Sequence, residues 1–162
     1  MADEIVRDRP MDQLSELRRF LATHREALLD MLDGITFEQA TSMPTVSDLS
    51  LYGIVKHCAF VERRWVLGAI GRQLIPGIVP PENRDQEFRA DPGEDLDWLR
   101  QFYAGVAREN DVVLDACDPD AWSGREGMTV RGVLLHLIEE LAQHRGQADI
   151  LREAIDGRKD LD

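Results

Sequence analysis

Apolar residues recur at helical spacing along four stretches of this chain, with polar or turn-forming segments between them. After a short charged leader (1–10), Leu14, Leu17, Phe20, Leu21, Leu28 and Leu32 mark one side of a first helix that Gly34 stops. Residues 34–47 carry Thr, Ser, Pro and Gly without a period and read as a loop, with Ser47 or Asp48 placed to cap the next helix. The second helix is read from Leu49 to about Ile70, apolar along Leu51, Ile54, Val55, Cys58, Val61 and Trp65, with Glu62, Arg63 and Arg64 largely opposite. From Gly71 to Gly93 four prolines and no lasting period make a loop long enough to cover a site. A third helix from about Glu94 to Cys117 buries Leu96, Leu99, Phe102, Tyr103, Val106, Val113 and Leu114, and Asp118-Pro119 ends it. The fourth opens near Thr129 and continues to Ile155, with Asp156-Gly157 as its stop. Four helices and no strand pattern predict an all-α four-helix bundle, at 162 residues a single domain spanning 1–162.

Composition narrows the partners. With 19 Lys and Arg against 31 Asp and Glu, the net charge of -12 repels phosphate backbones and anionic lipid, so neither nucleic acid nor a membrane surface is expected. The most apolar window, Trp65 to Pro80, is broken by Arg72, Gln73 and two prolines, short of the roughly 20 residues a membrane span needs. Two cysteines, Cys58 and Cys117, make no disulfide framework, and the N-terminus lacks the basic start and apolar run of a signal peptide. A reducing cytoplasm is the expected compartment.

The candidate chemistry lies on the fourth helix. Taking Leu137 as the centre of its apolar face, at about 100° per residue His144 lies about 20° away and Glu140 about 60° away, on the same side. Four residues apart, they are neighbours on successive turns and can offer two ligands to one ion. A carboxylate at a core boundary calls for a cation, a donor or solvent, and a divalent metal supplies the first. His57, on the edge of the second helix's apolar stripe, offers a third ligand. Two nitrogens and one oxygen leave a position open for water or substrate. The competing reading is a boundary salt bridge between Glu140 and His144, with His57 a hydrogen-bonded core histidine.

Other residues read more plainly. His136 could bond Glu140 or sit at the solvent edge, and Gln143 and Gln147 share its flank. Cys58 falls on the apolar stripe, where a thiol is a small hydrophobe. Arg145 and Arg152 lie on the flank away from Glu140, and Trp65, Trp98 and Trp122 read as packing residues, Trp65 also within reach of a pocket mouth.

The segment LSLYGIVKHCAFVERRW, followed far downstream by LLHLIEELAQHRGQADILREAIDG, resembles the DinB-like superfamily in its actinobacterial branch, across nearly the whole chain. That superfamily includes mycothiol-dependent maleylpyruvate isomerase and related thiol-dependent transferases. The resemblance implies a four-helix bundle holding a metal through His57, Glu140 and His144, zinc first and nickel or another divalent ion behind it. Many members carry histidine where this chain has Glu140, and the mycothiol-dependent isomerase carries glutamate, which favours the mycothiol branch. Relatives often add a histidine three residues after the last ligand; this chain has Gln147 there, so three protein ligands and an open position are expected. The isomerases carry a second C-terminal domain after the bundle, whereas this chain ends at Asp162, which tilts the expectation towards transfer. The expected activity is a metal-dependent transfer of mycothiol, as co-substrate, to a small electrophile. The alternatives are a stress-response or binding module with a bound metal and no turnover, and a metal-free bundle that pairs as a homodimer through an exposed apolar helix face.

Overall fold

The computed structural model describes residues 12–72 and 83–159, with the backbone alone at 81 and 82; the expected leader, and the middle of the long loop at 73–80, lie outside the described residues. Helix α1 (Gln13–Asp30) is capped by the Asp12 side chain, which accepts from the Ser15 amide. A short α2 (Phe37–Thr41) interrupts the expected loop, held by a capping box in which Thr36 and Gln39 satisfy each other's orphan amides. Helix α3 (Leu51–Arg63) begins at a Ser50 cap rather than at Ser47 or Asp48. It continues as a π-helical stretch, Arg64–Ile70. Within the long loop a kinked 3-10 segment forms at Pro81–Phe88. Helix α4 (Leu96–Leu114) is capped by Asp95, and α5 (Val130–Asp156) runs from a Thr129 cap to Gly157, whose φ of 78° suits glycine.

The four long helices form the expected all-α bundle. Helix α1 packs on α5, and α3 packs on both α4 and α5. The centre is apolar: Leu21, Leu28, Ile54, Val55, Leu99, Leu134, Leu137 and Leu141 are all essentially closed to solvent. Each such side chain contributes about 1.5–3 kcal/mol by leaving water.

Helix α3 is buried on nearly every side, its polar residues included. Glu62 is fully buried instead of facing outward with Arg63 and Arg64. Arg25 pairs with both its oxygens, and Tyr103 Oη and the Asn110 amide donate to it. Lys56 Nζ is held by Asp91, Glu94 and the Arg89 carbonyl. The fourfold-satisfied carboxylate and the anchored ammonium tie α3 to α1, α4 and the chain after the 3-10 segment.

Two close backbone approaches place what surrounds α3. A Cβ at Gly53 would lie 2.2 Å from the Phe88 carbonyl oxygen, so only glycine lets Pro81–Phe88 rest on the helix. At the end of the π-helical stretch, the Gly124 amide bonds the Ala69 carbonyl at 2.7 Å, docking the loop before α5. Trp122 in that loop is 68% exposed, contrary to the expected packing role.

Candidate metal centre and its pocket

Helices α3 and α5 bring His57, Glu140 and His144 together. Among the described residues they form the one group of three ligand-type side chains whose donor atoms all lie within 4.8 Å of one another. His144 Nε2 is 3.6 Å from Glu140 Oε2, and the rings of His57 and His144 meet edge to face at 5.0 Å. Two donors each about 2.1 Å from a shared tetrahedral ion would lie about 3.4 Å apart, close to that spacing. The pair one turn apart follows from the i, i+4 geometry of α5, and the third donor from the packing of α3 against it.

Both imidazoles are oriented from behind. Gln147 Oε1 accepts from His144 Nδ1 at 2.8 Å, leaving the Nε2 lone pair towards Glu140. His57 Nδ1 donates to Glu87 Oε2 at 3.2 Å, leaving its Nε2 as the nitrogen that could ligate an ion. A carboxylate or amide on the far nitrogen of a ligating histidine fixes its tautomer and ring plane. Phe88 completes the support, stacked on His57 with centroids 4.1 Å apart. Gln147 thus orients the His144 ring.

Electrostatics suit a cation. Burial lowers the His144 pKa from 6.5, and His57 adds to this against the opposing Gln147 bond and Glu140, so the ring is neutral and ligand-competent at pH 7. Burial pushes the Glu87 carboxyl up, but the His57 bond and the Arg64 guanidinium more than reverse this and hold it below 4.5. Glu87 is therefore an anion, fully buried and bonded by His57 and by Arg64 Nη1.

The centre opens on a pocket of about 270 Å³ lined by His57, Val61, Arg64, Trp65, Ala69, Arg84, Arg125, His136 and Glu140. The π-helical stretch carries Arg64, Trp65 and Ala69 into it. His136 packs on Trp65 at 4.4 Å and the Arg125 guanidinium covers the same indole at 4.3 Å, so Trp65 is a pocket wall more than a core residue. Neither cysteine lines the pocket. Cys58 is wholly buried, its thiol pushed well up by burial and by Glu62 and Glu140. Arg152 is bound to Asp156 and to the carbonyls of Met31 and Asp33, away from the centre.

A family model described as mycothiol-S-transferase matches residues 16–157. The chain belongs to the mycothiol-S-transferase family. Residues 16–157 take in α1 but for its first three residues, all of α2 to α5, and His57, Glu140 and His144. A solved structure titled a conserved protein from Enterococcus faecalis shares the fold with a TM-score of 0.72, at 15% identity, over 92% of this chain and all of that one. No protein of curated function matches. No described helix is long and apolar enough to cross a membrane.

Sequence reasoning missed Glu87 and Arg84. Both fall in a segment without periodicity, among other charged residues, and nothing in their spacing announces a contact with α3. The sole local signal was the unusual length of the loop.

Proposed function

We propose that the chain is a metal-dependent mycothiol S-transferase in which His57, Glu140 and His144 hold a divalent cation, zinc in first place and nickel behind it. The observation that carries this reading is that three donor atoms converge beside an open pocket, which His57 and Glu140 help to line, in a member of the mycothiol-S-transferase family. A cation bound there would keep a thiol ionised at neutral pH.

His57 and His144 would hold the cation through ring nitrogens kept in fixed planes, and Glu140 would be its one anionic protein ligand, so a divalent ion there would keep a net positive charge that attracts a thiolate. Trp65, Val61 and Ala69 line the approach with apolar surface. Since Cys58 is buried and its thiol raised, the attacking sulfur comes from a bound small thiol. In the transfer a sulfur–carbon bond forms as the bond to a leaving group breaks. The leaving group keeps the electron pair, and the thiol proton passes to solvent. The site's opening on a pocket favours turnover over a closed structural ion. Two free cysteines agree with a reducing, cytoplasmic setting.

The test is a mycothiol-dependent transfer assay on metal-loaded protein with several thiol-reactive electrophiles. Turnover that requires both mycothiol and metal, and falls at least about a hundredfold in His57→Ala, is expected. A metal-loaded protein with no turnover on any electrophile would favour a binding module instead.

A further inference from the structure

The pocket beside the centre is cationic in a strongly acidic protein. Among the described residues, three of the chain's 19 basic side chains, Arg64, Arg84 and Arg125, line it, against the single carboxylate of Glu140. Arg64 is matched by Glu87. Among the described residues, neither Arg84 nor Arg125 has a carboxylate partner, although Asp and Glu outnumber Lys and Arg by 31 to 19. Both side chains are exposed, so water screens their repulsion and leaves them accessible to an anion entering the pocket. The Arg125 guanidinium also lies over the Trp65 ring, a contact that holds one face and leaves the edge N–H groups available. Such a fork matches the two oxygens of a carboxylate.

We propose that Arg84 and Arg125 form an anion subsite that takes a carboxylate on the electrophile, with its reactive carbon directed at the wall that His57 and Glu140 form beside His144. The assignment of that carboxylate to the electrophile rests on the transferase reading; the anion subsite itself does not. The thiol side of the reaction needs no such charge, since the centre provides it. Arg64, held by Glu87, supplies background potential and no direct ligand. The substrate class is therefore an anionic, carboxylate-bearing alkylating or unsaturated compound, ahead of its neutral esters and amides.

Two measurements test this and separate it from the transferase reading. The first is calorimetric titration of succinate, with succinamide as the neutral control, into native protein and Arg84→Gln/Arg125→Gln, each metal-loaded and metal-stripped. Succinate binding that exceeds succinamide binding in both native forms, and weakens at least about tenfold in the double variant, is expected. The single Arg84→Gln variant, which leaves the Trp65 stack in place, should show part of that loss. Succinate binding that is absent, or equal in native and double variant, overturns the subsite; so does binding that needs the metal and ignores both arginines. The second compares iodoacetate with iodoacetamide as mycothiol acceptors. The ratio of their kcat/KM values should fall at least about tenfold in the double variant, through the KM for iodoacetate. An unchanged ratio would overturn the electrophile assignment. No turnover of either acceptor alongside arginine-dependent succinate binding would sink the transferase reading and the electrophile assignment, and leave the anion subsite standing.

Discussion

Glu87 governs the orientation of His57 and sets a pH dependence of its own. It is fully buried, donates nothing, and accepts from His57 Nδ1 and Arg64. Glu87→Gln should lower metal affinity about 10–100-fold in a chelator competition while leaving the ligands in place. The sign of the acid response comes from its pKa, held below 4.5 in the folded chain. The unfolded chain binds more protons near that value, so the stability from Glu87 is present above pH 4.5 and is lost as pH falls through its folded value. Metal-free native protein should therefore lose more stability between about pH 5 and 3 than metal-free Glu87→Gln, measured by urea denaturation. Equal losses would contradict an ionised, paired Glu87. Arg25→Met tests the other buried carboxylate: stranding Glu62 should cost about 3–5 kcal/mol of unfolding free energy.

At the scale of elements, the centre depends on the 3-10 segment Pro81–Phe88 resting against α3. Gly53 permits this, because a Cβ there would meet the Phe88 carbonyl oxygen at 2.2 Å. Gly53→Ala would ordinarily favour a helix interior by about 1 kcal/mol. Here it should destabilise the protein and weaken metal binding together, because moving Phe88 moves Glu87. A variant that melts higher and binds metal as before would refute the dependence. Continuous elements were also the ones the sequence revealed. His144 and Glu140 were legible because both sit on one continuous helix whose angles follow from counting. The positions of α1, α3, α4 and α5 were legible from apolar spacing, and His57 was legible from its place on the edge of the α3 stripe, with the resemblance joining it to Glu140 and His144. Glu62 was misplaced because a charged residue reads as solvent-facing until Arg25 and Tyr103, 37 and 41 residues away, close around it. Glu87 and Arg84 lay in a segment with no period to read, and the Ser50 cap lost to Ser47 and Asp48 because several capping residues crowd that turn.

Across the whole molecule, the bundle uses α3 and α5 as a clamp whose contact is both core and centre. A ligand that binds only the folded chain raises its stability by RT ln(1 + [L]/Kd), about 2.7 kcal/mol at a hundredfold excess over Kd. A cation joining α3 to α5 should therefore raise the melting temperature, and a chelator should lower it by several degrees in native protein and not in His144→Ala. The net charge of -12 also shapes association. Attraction of an anionic substrate must be local to the arginine-lined pocket, so salt should weaken it less steeply than long-range steering would.

The central claim, that His57, Glu140 and His144 hold a divalent cation, is tested most directly by elemental analysis of purified native protein beside His144→Ala. Close to one divalent ion per native chain, zinc foremost, is expected, with near-complete loss in the variant. Equal metal in both proteins, or metal in neither after exposure to zinc and nickel, would contradict it.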